Sequence, residues 1–218
     1  MNEIYTIGHS SLKPEDFLLL LRTHNINCVV DVRSIPYSKY APQFNKKNIK
    51  EFLNYNRIHY IFMGKELGAR RKDKDLYSEE GYLDFEKVYE SDLFNLGIQR
   101  VKDGIEKGFI VALMCTEKDP IDCHRNILVA RKLYGQNYKV NNILINGEIQ
   151  TQDYIEERLL DMYFPNRMQL ALFSDTTATD NNKEMINKAY RLRNKDIANG
   201  IFEEKGLAAN EIIHNRVY

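Results

Sequence analysis

The chain has 218 residues, 43% of them apolar and 28% charged, a composition typical of one globular domain with or without an appendage. Its 31 basic and 31 acidic side chains balance, which excludes a uniformly basic nucleic-acid coat but allows a local basic face. The apolar runs are far shorter than the roughly 18 residues of a membrane span, and the first residues lack signal-peptide features. Three cysteines, an odd number, predict a reduced cytoplasmic protein without a disulfide scaffold.

Short apolar segments alternate with amphipathic ones over the first 164 residues. Strands are predicted over 4–8, 28–33, 59–63, 109–115 and 139–145. Helices are predicted over 14–22, from an Asn45 cap to Leu53, over 84–107 with a break near Ser91 or Gly97, from Asp122 or Cys123 through Leu133, and from a Thr151 cap to Phe164. This alternation predicts a single Rossmann-like α/β domain over 1–164, with a mostly parallel sheet of about five strands and helices on both faces. It leaves the strand order open.

The character of the sequence changes after Pro165. We expect residues 165–218 to form a polar, partly helical C-terminal tail. Residues 174–183 lack apolar periodicity and are typical of a linker, and a helix is predicted over 183–198.

Reactive side chains concentrate directly after three of the predicted strands. Because ligands of open α/β sheets bind at the carboxyl ends of the strands, we expect these side chains to converge on one crevice. The candidate catalytic residues are His9, Asp31, Cys115, Glu117 and His124. The candidate substrate- or phosphate-binding residues are Ser10, Arg33, Ser38, Lys39 and Arg125.

Several of these residues also have a simpler interpretation. Asp31 and Arg33 can form a structural ion pair, and Cys115 can be an inert core thiol instead of a nucleophile. Zinc bound by Cys115, Cys123 and His124 is a further alternative. Seven residues separate the two cysteines, however, instead of the short spacing of common zinc motifs, so no cofactor is predicted.

Charge is segregated along the chain although it sums to zero. Residues 33–72 contain ten basic and two acidic side chains, whereas residues 73–122 contain thirteen acidic and six basic ones. Aromatic residues are interleaved with the basic ones at Tyr37, Tyr40, Phe44, Tyr55 and Tyr60. A basic face with accessible aromatics suits a nucleic-acid backbone and unstacked bases. The alternative is an ordinary solvated helix face followed by a loop.

A short motif lies in the tail at Gln169-Leu170-Ala171-Leu172-Phe173. It resembles the Gln-Leu-x-Leu-Phe peptide by which many bacterial replication and repair proteins bind the sliding clamp. In such a peptide the leucine and phenylalanine side chains enter an apolar pocket, and glutamine fixes the orientation by hydrogen bonds. The candidate partner-binding residues are therefore Gln169, Leu170, Leu172 and Phe173. Alternatively, the apolar side chains pack back on the sheet.

Three motifs, in order, resemble the signatures of the domain-of-unknown-function family 488. They are Thr6-Ile7-Gly8-His9-Ser10, then Asp31-Val32-Arg33 with Pro36 and Ser38, then Cys115-x-Glu117-x-x-Pro120-x-x-Cys123-His124-Arg125. The resemblance extends over about residues 3–164 and implies a compact α/β domain, but no activity. Lys39 stands where the family pattern often has arginine, and it keeps the positive charge.

Together these observations favour a protein directed to DNA or RNA, with a preference for a hydrolase or transferase of repair or modification, tethered to the sliding clamp. No membrane association is expected. Two alternatives stay open. One is an enzyme that uses the same crevice on a phosphorylated or anionic metabolite, and the other is a nucleic-acid-binding module without catalysis.

Overall fold

A computed structural model of the protein describes residues 2–167 and 182–198. The strands are β1 (Glu3–Gly8), β2 (Cys28–Asp31), β3 (His59–Phe62), β4 (Val111–Cys115), β5 (Lys139–Ile143) and β6 (Ile149–Thr151). The helices are α1 (Pro14–Thr23), α2 (Lys46–Tyr55), α3 (Phe85–Glu90), α4 (Asp92–Glu106), α5 (Arg131–Tyr134), α6 (Gln152–Tyr163) and α7 over 182–198. A π-helical turn, Arg125–Ala130, leads directly into α5.

The six strands form one sheet in the order β3-β2-β4-β1-β5-β6, which confirms the predicted Rossmann-like α/β architecture. Strands β1 to β5 are parallel to one another. The prediction of about five strands omits β6, which pairs antiparallel with β5 and places Ile149 opposite Ile143. A turn joins these two strands, and in it Gly147 has a φ of 87°. With three residues, β6 is too short to show strand periodicity in the sequence.

Local sequence explains where several helices begin and end. Pro14 opens α1, and two acidic residues follow in its first turn, near the positive end of the helix dipole. The helix predicted over 84–107 divides at Ser91, one of the two expected positions, into α3 and α4. Thr151 caps α6 as predicted, because its Oγ1 accepts a hydrogen bond from the Tyr154 N–H at 3.3 Å.

Helices cover both faces of the sheet, as the alternation predicted. The face under α1 and α2 buries Phe17, Leu21, Ile49 and Leu53. The face under α4, α5 and α6 buries Phe94, Ile98, Leu133, Ile155 and Leu159. All residues of β2 and β4 are buried. Polar side chains that could serve a ligand are therefore displaced to the ends of the strands.

The tail helix α7 packs against the domain. Tyr190 is buried in the same apolar cluster as α4 and α6, and its hydroxyl accepts a hydrogen bond from Gln152 Nε2 at 2.8 Å. Asn194 Oδ1 accepts a hydrogen bond from the Phe85 N–H at 2.9 Å. These contacts connect α7 with the start of α3 and with the first turn of α6.

Two features of the sequence fall on other parts of the chain. The motif at 169–173 and residues 174–181 of the predicted linker lie outside the described residues, whereas 182 and 183 belong to α7. Among the helices that the structure describes, none is both long and apolar enough to cross a membrane.

Candidate functional site

The carboxyl ends of β1, β2 and β4 lie side by side, because these strands are neighbours in the parallel sheet. Backbone hydrogen bonds join the loops that follow them. The His9 N–H donates to Cys115 O at 2.9 Å, and the Ser10 N–H donates to Thr116 O at 2.8 Å. Likewise the Val32 N–H donates to Met114 O, one residue before the end of β4, at 3.1 Å. The topology therefore brings the three sequence motifs to one edge of the sheet.

Gly8 lets the loop after β4 pass directly against the end of β1. A Cβ atom at this position would lie 1.8 Å from the carbonyl oxygen of Glu117, so only glycine fits here. Arg125 holds the same loop, since its Nη1 donates to that carbonyl at 2.7 Å and its Nη2 to Lys118 O at 3.5 Å. Arg125 is fully buried. Its guanidinium, a predicted phosphate ligand, is thus hydrogen-bonded to the protein backbone.

Asp31 and Arg33 form a buried ion pair behind the strand ends. Asp31 Oδ1 accepts from Arg33 Nε at 2.9 Å, and Oδ2 accepts from Arg33 Nη2 at 2.7 Å and from the Tyr60 hydroxyl at 2.6 Å. Arg33 Nη2 also donates to Phe44 O at 2.9 Å. Burial alone would lower the pKa of Arg33, but the hydrogen bonds and charge of Asp31 raise it. Burial and the Asp31 carboxylate raise the pKa of Tyr60.

His9 completes this arrangement, which we call the Asp31 network (His9, Asp31, Arg33 and Tyr60). Its Nδ1 donates to Ser10 O at 2.9 Å, and its Nε2 accepts from Arg33 Nη1 at 3.0 Å. The ring stacks on Phe44 with a centroid distance of 4.2 Å. Burial and the positive charge of Arg33 lower the pKa of His9 to about 4. The imidazole is therefore neutral near pH 7 and already uses both ring nitrogens within the protein.

Four reactive side chains meet where the loop after β4 approaches the start of the π-helical turn. We call Cys115, Glu117, Cys123 and His124 the cluster. One potential metal-binding atom from each of the four side chains lies within 4.8 Å of the others. Cys115 Sγ is 3.8 Å from His124 Nδ1, and Cys123 Sγ and Glu117 Oε2 form a hydrogen bond of 2.7 Å. His124 Nε2 donates to Val32 O at 3.1 Å, which fixes the orientation of the ring.

The electrostatics of the cluster favour one thiolate. Burial alone would raise the pKa of Cys123, but a hydrogen bond from Cys115 and the positive charge of Arg125 lower it well below the usual thiol value. Burial and the neighbouring Cys123 raise the pKa of Cys115. Glu117 is exposed as a residue, yet its carboxylate faces the cluster, where desolvation and the charge of Cys123 raise its pKa. We therefore assign the negative charge to Cys123.

A crevice of about 330 Å³ opens over the cluster, near the lower limit for small-ligand sites. Cys115, Glu117 and His124 line it together with two arginines, Arg33 and Arg70. Its lining also contains three aromatic residues, Tyr77, Tyr82 and Phe85, and residues at the end of α7. The crevice thus combines acid-base and thiol groups with flat apolar surface.

A larger cavity of about 1020 Å³, which we call the side groove, adjoins the crevice. Ser34, Ile35 and Arg70 line both cavities. The side groove has five basic and three acidic side chains in its lining. The basic ones are Lys65, Arg70, Arg71, Lys72 and Lys87, and the acidic ones are Asp73, Glu90 and Asp92.

The structure places the sequence candidates in three groups. Cys115, Glu117, His124 and Arg33 line the crevice, whereas His9, Asp31 and Arg125 lie behind it and are fully buried. Ser10, with a φ of 43°, hydrogen-bonds to the loop after β4. Ser38 and Lys39 lie on the loop before α2, outside the residues that line the crevice. There Ser38 Oγ accepts from the Tyr40 N–H at 3.1 Å, and Asn45, the expected helix cap, accepts from the Ser38 N–H.

Sequence reasoning missed several residues of the site. Cys123 was considered only as a zinc ligand, although its place beside His124 and Arg125 is where a thiolate is stabilised. Tyr60 was identified only as one of the aromatic residues interleaved with the basic ones between 33 and 72. Its hydrogen bond to Asp31 depends on the pairing of β3 with β2, which the sequence does not show. The aromatic residues of the crevice come from the loop before α3 and from the first residue of that helix, where the sequence has no motif, so nothing in the sequence indicated them.

Comparison with known protein families gives a match. The family described as "Domain of unknown function DUF488" matches residues 13–132, more than half of the chain. No curated protein and no solved structure matches the chain. The matched range contains the second and third motifs, and the motif at the end of β1 precedes it.

Proposed function

Since the chain belongs to the DUF488 family, whose description states no activity, we propose from the site itself that the protein is a nucleic-acid-directed hydrolase or transferase. The side groove binds the phosphate backbone, and the crevice receives one nucleotide. The observation that carries the proposal is the continuity of the two cavities through Ser34, Ile35 and Arg70. A polymer can therefore follow basic side chains and still reach the cluster.

The exposure of the basic side chains between residues 33 and 72 supports this proposal. Eight of the ten basic residues between 33 and 72 are exposed. They are Lys39, Lys46, Lys47, Lys50, Arg57, Lys65, Arg70 and Lys72. Tyr37, Tyr40 and Tyr55 are exposed in the same part of the chain. Exposed cations with free aromatic faces are the groups that bind single strands by charge and stacking.

The crevice supplies groups for the reaction. Glu117, which is exposed and lines the crevice, can hold or release a proton beside a bound nucleotide. Arg33 uses four of its five side-chain N–H groups on Asp31, His9 and Phe44, so one Nη1 N–H is left for an anionic group of the substrate. The wall of Tyr77, Tyr82 and Phe85 offers surfaces on which a base can stack.

Salt-dependent binding tests the nucleic-acid part of the proposal. Fluorescence anisotropy with a labelled single-stranded oligonucleotide would compare the wild type with the double variant Arg70→Gln/Lys72→Gln. Lys107→Gln, an exposed lysine after α4, is the control. We expect the wild-type affinity to fall steeply with salt. The double variant should reduce the slope of log K against log salt by about 1.4, since each phosphate contact on a single strand contributes about 0.7.

The result that would reject this proposal is affinity independent of salt, or equal weakening by the control. Binding of phosphorylated metabolites with no oligonucleotide binding would instead favour the small-molecule enzyme. Oligonucleotide binding without turnover of damaged or modified substrates would favour the binding module.

The tail motif supports a tether to the sliding clamp as a further element of the proposal. Gln169, Leu170, Leu172 and Phe173 carry it, and its support is the sequence alone. Full-length protein would be titrated with purified bacterial clamp, beside Gln169→Ala/Phe173→Ala and the neighbouring control Asn166→Ala. Saturable binding by the wild type and the control, lost in the double variant, is expected. Equal binding by all three proteins would reject the tether.

A further inference from the structure

One distance within the cluster is close to that between two ligands of a metal site. In a tetrahedral zinc site, with Zn–S of about 2.3 Å and Zn–N of about 2.0 Å, a sulfur and a nitrogen ligand lie about 3.5 Å apart. Cys115 Sγ and His124 Nδ1 lie 3.8 Å apart. Cys123 Sγ belongs to the same group of donor atoms, all within 4.8 Å of one another. Two thiols and one imidazole thus converge, and one sulfur–nitrogen pair is close to ligand spacing.

The surrounding groups orient these side chains as ligands. His124 Nε2 donates to Val32 O at 3.1 Å, so Nδ1 presents its lone pair towards Cys115. A ring nitrogen that binds metal is commonly oriented by such a bond from the other nitrogen to a carbonyl. The Arg125 N–H approaches Cys123 Sγ at 3.5 Å. That bond, with the buried guanidinium of the same residue, stabilises negative charge on the sulfur.

Burial makes a nucleophilic role for either thiol difficult. Cys115 is 2% exposed and Cys123 is 1% exposed, and a thiolate that attacks a substrate must be accessible to it. Glu117, in contrast, is exposed and lines the crevice with His124. A metal ion bound by the sulfur atoms can contact a substrate in the crevice, whereas the buried sulfur atoms cannot.

From this geometry we propose that Cys115, Cys123 and His124 bind one zinc ion, with Glu117 beside an open fourth position that faces the crevice. Thiolate and imidazole ligands in a tetrahedral arrangement favour zinc over harder divalent ions. Glu117 is placed outside the ligand set because its Oε2 is 2.7 Å from Cys123 Sγ. An oxygen and a sulfur that share one tetrahedral zinc ion lie about 3.6 Å apart.

Such a site supplies a hydrolytic step, an inference that rests on the proposed enzymatic function. Zinc lowers the pKa of a bound water to about 7, and the Glu117 carboxylate accepts the proton that this water loses. The resulting hydroxide forms a bond to an electrophilic carbon or phosphorus of the substrate. As the bond to the leaving group breaks, Glu117 returns the proton to that group. No electrons are exchanged with a co-reactant.

Metal content tests the site without any knowledge of the substrate. Full-length, tag-free protein would be dialysed and its zinc measured by mass spectrometry. Cobalt would then replace zinc for absorption spectroscopy. We expect about one zinc per chain, tetrahedral d–d bands and a thiolate-to-cobalt charge-transfer band. Cys115→Ser should lose the metal, whereas Cys28→Ser, equally buried at 2% exposure but at the opposite end of the sheet, should keep it.

Several outcomes would overturn the proposal. Wild-type protein that binds neither zinc nor cobalt rejects the site, as does a Cys115–Cys123 disulfide detected by mass. Loss of metal in Glu117→Gln, to the same extent as in Cys115→Ser, rejects the open position. If Cys115→Ser does not fold by circular dichroism, the wild-type content and the cobalt spectrum decide. Oligonucleotide binding is measured separately, so failure of the metal site and failure of the nucleic-acid proposal are distinguishable.

Discussion

The neutral, buried imidazole of His9 predicts a specific loss of stability in mild acid. Burial and the charge of Arg33 lower the pKa of His9 from 6.5 to about 4. Below pH 6.5 the unfolded chain binds a proton at His9 and the folded chain does not, so the free energy of unfolding falls. The loss accumulates as the pH falls from 6.5 to 4 and is complete below that. At about 1.4 kcal/mol per pH unit, it amounts to about 3 kcal/mol.

The variant His9→Gln isolates this contribution. Glutamine can still accept the hydrogen bond from Arg33, but it does not titrate. We expect the variant to be less stable than the wild type near pH 7, because it loses the stacking on Phe44. The free energy of unfolding of the wild type, relative to that of the variant, should then fall by about 3 kcal/mol between pH 7 and pH 4.

Urea unfolding followed by circular dichroism, at steps of pH between 4 and 7, measures this difference. Other groups titrate alike in both proteins and therefore cancel. Parallel curves of unfolding free energy against pH would refute the reasoning, because they would mean that His9 has an ordinary pKa in the folded state.

Four further substitutions probe the scaffold through urea unfolding. Gly8→Ala should lower the free energy of unfolding by about 2 kcal/mol, because the new Cβ would overlap the carbonyl of the loop that faces it. Gly104→Ala should raise the free energy of unfolding by about 0.5 kcal/mol, because its Cβ would meet a single atom at 4.0 Å. The opposite order of the two effects would contradict the packing. Asp31→Asn should destabilise by about 3 to 5 kcal/mol, since Arg33 would keep a buried charge without its partner; a change under 1 kcal/mol would contradict this. Tyr190→Phe should lower stability by about 1 kcal/mol, and no change would mean that α7 does not depend on this hydrogen bond.

The parallel sheet could be predicted from the sequence because two of its inner strands, β2 and β4, are mostly apolar and helical segments separate the strands. β2 and β4 are buried along their whole length, so their strings of valine, leucine and methionine are unmistakable. β6 was missed because a three-residue edge strand has too few positions for a pattern. The strand order was not predictable, since each crossover can place its strand on either side.

The convergence of motifs at one edge was also predictable, because parallel strands end together. The roles of the individual residues at this edge were not predictable. His9, Asp31 and Arg125 are polar residue types that suit catalysis, yet all three are fully buried. Their hydrogen-bond partners include carbonyl oxygens of Ser10 and Glu117, and backbone acceptors of this kind are determined by tertiary structure alone.

Charge placement around the crevice sets the direction from which an anionic ligand would arrive. Among the described residues that line the crevice, the basic side chains are Arg33, Arg70 and His124. Arg33 is buried and neutralised by Asp31, and His124 faces the negative charge of Cys123. Arg70 alone of the three is exposed, and it also lines the side groove. An anionic group would therefore meet Arg70 first. Because Arg70 also lines the side groove, a polymeric ligand would occupy this groove before one of its units reached the cluster.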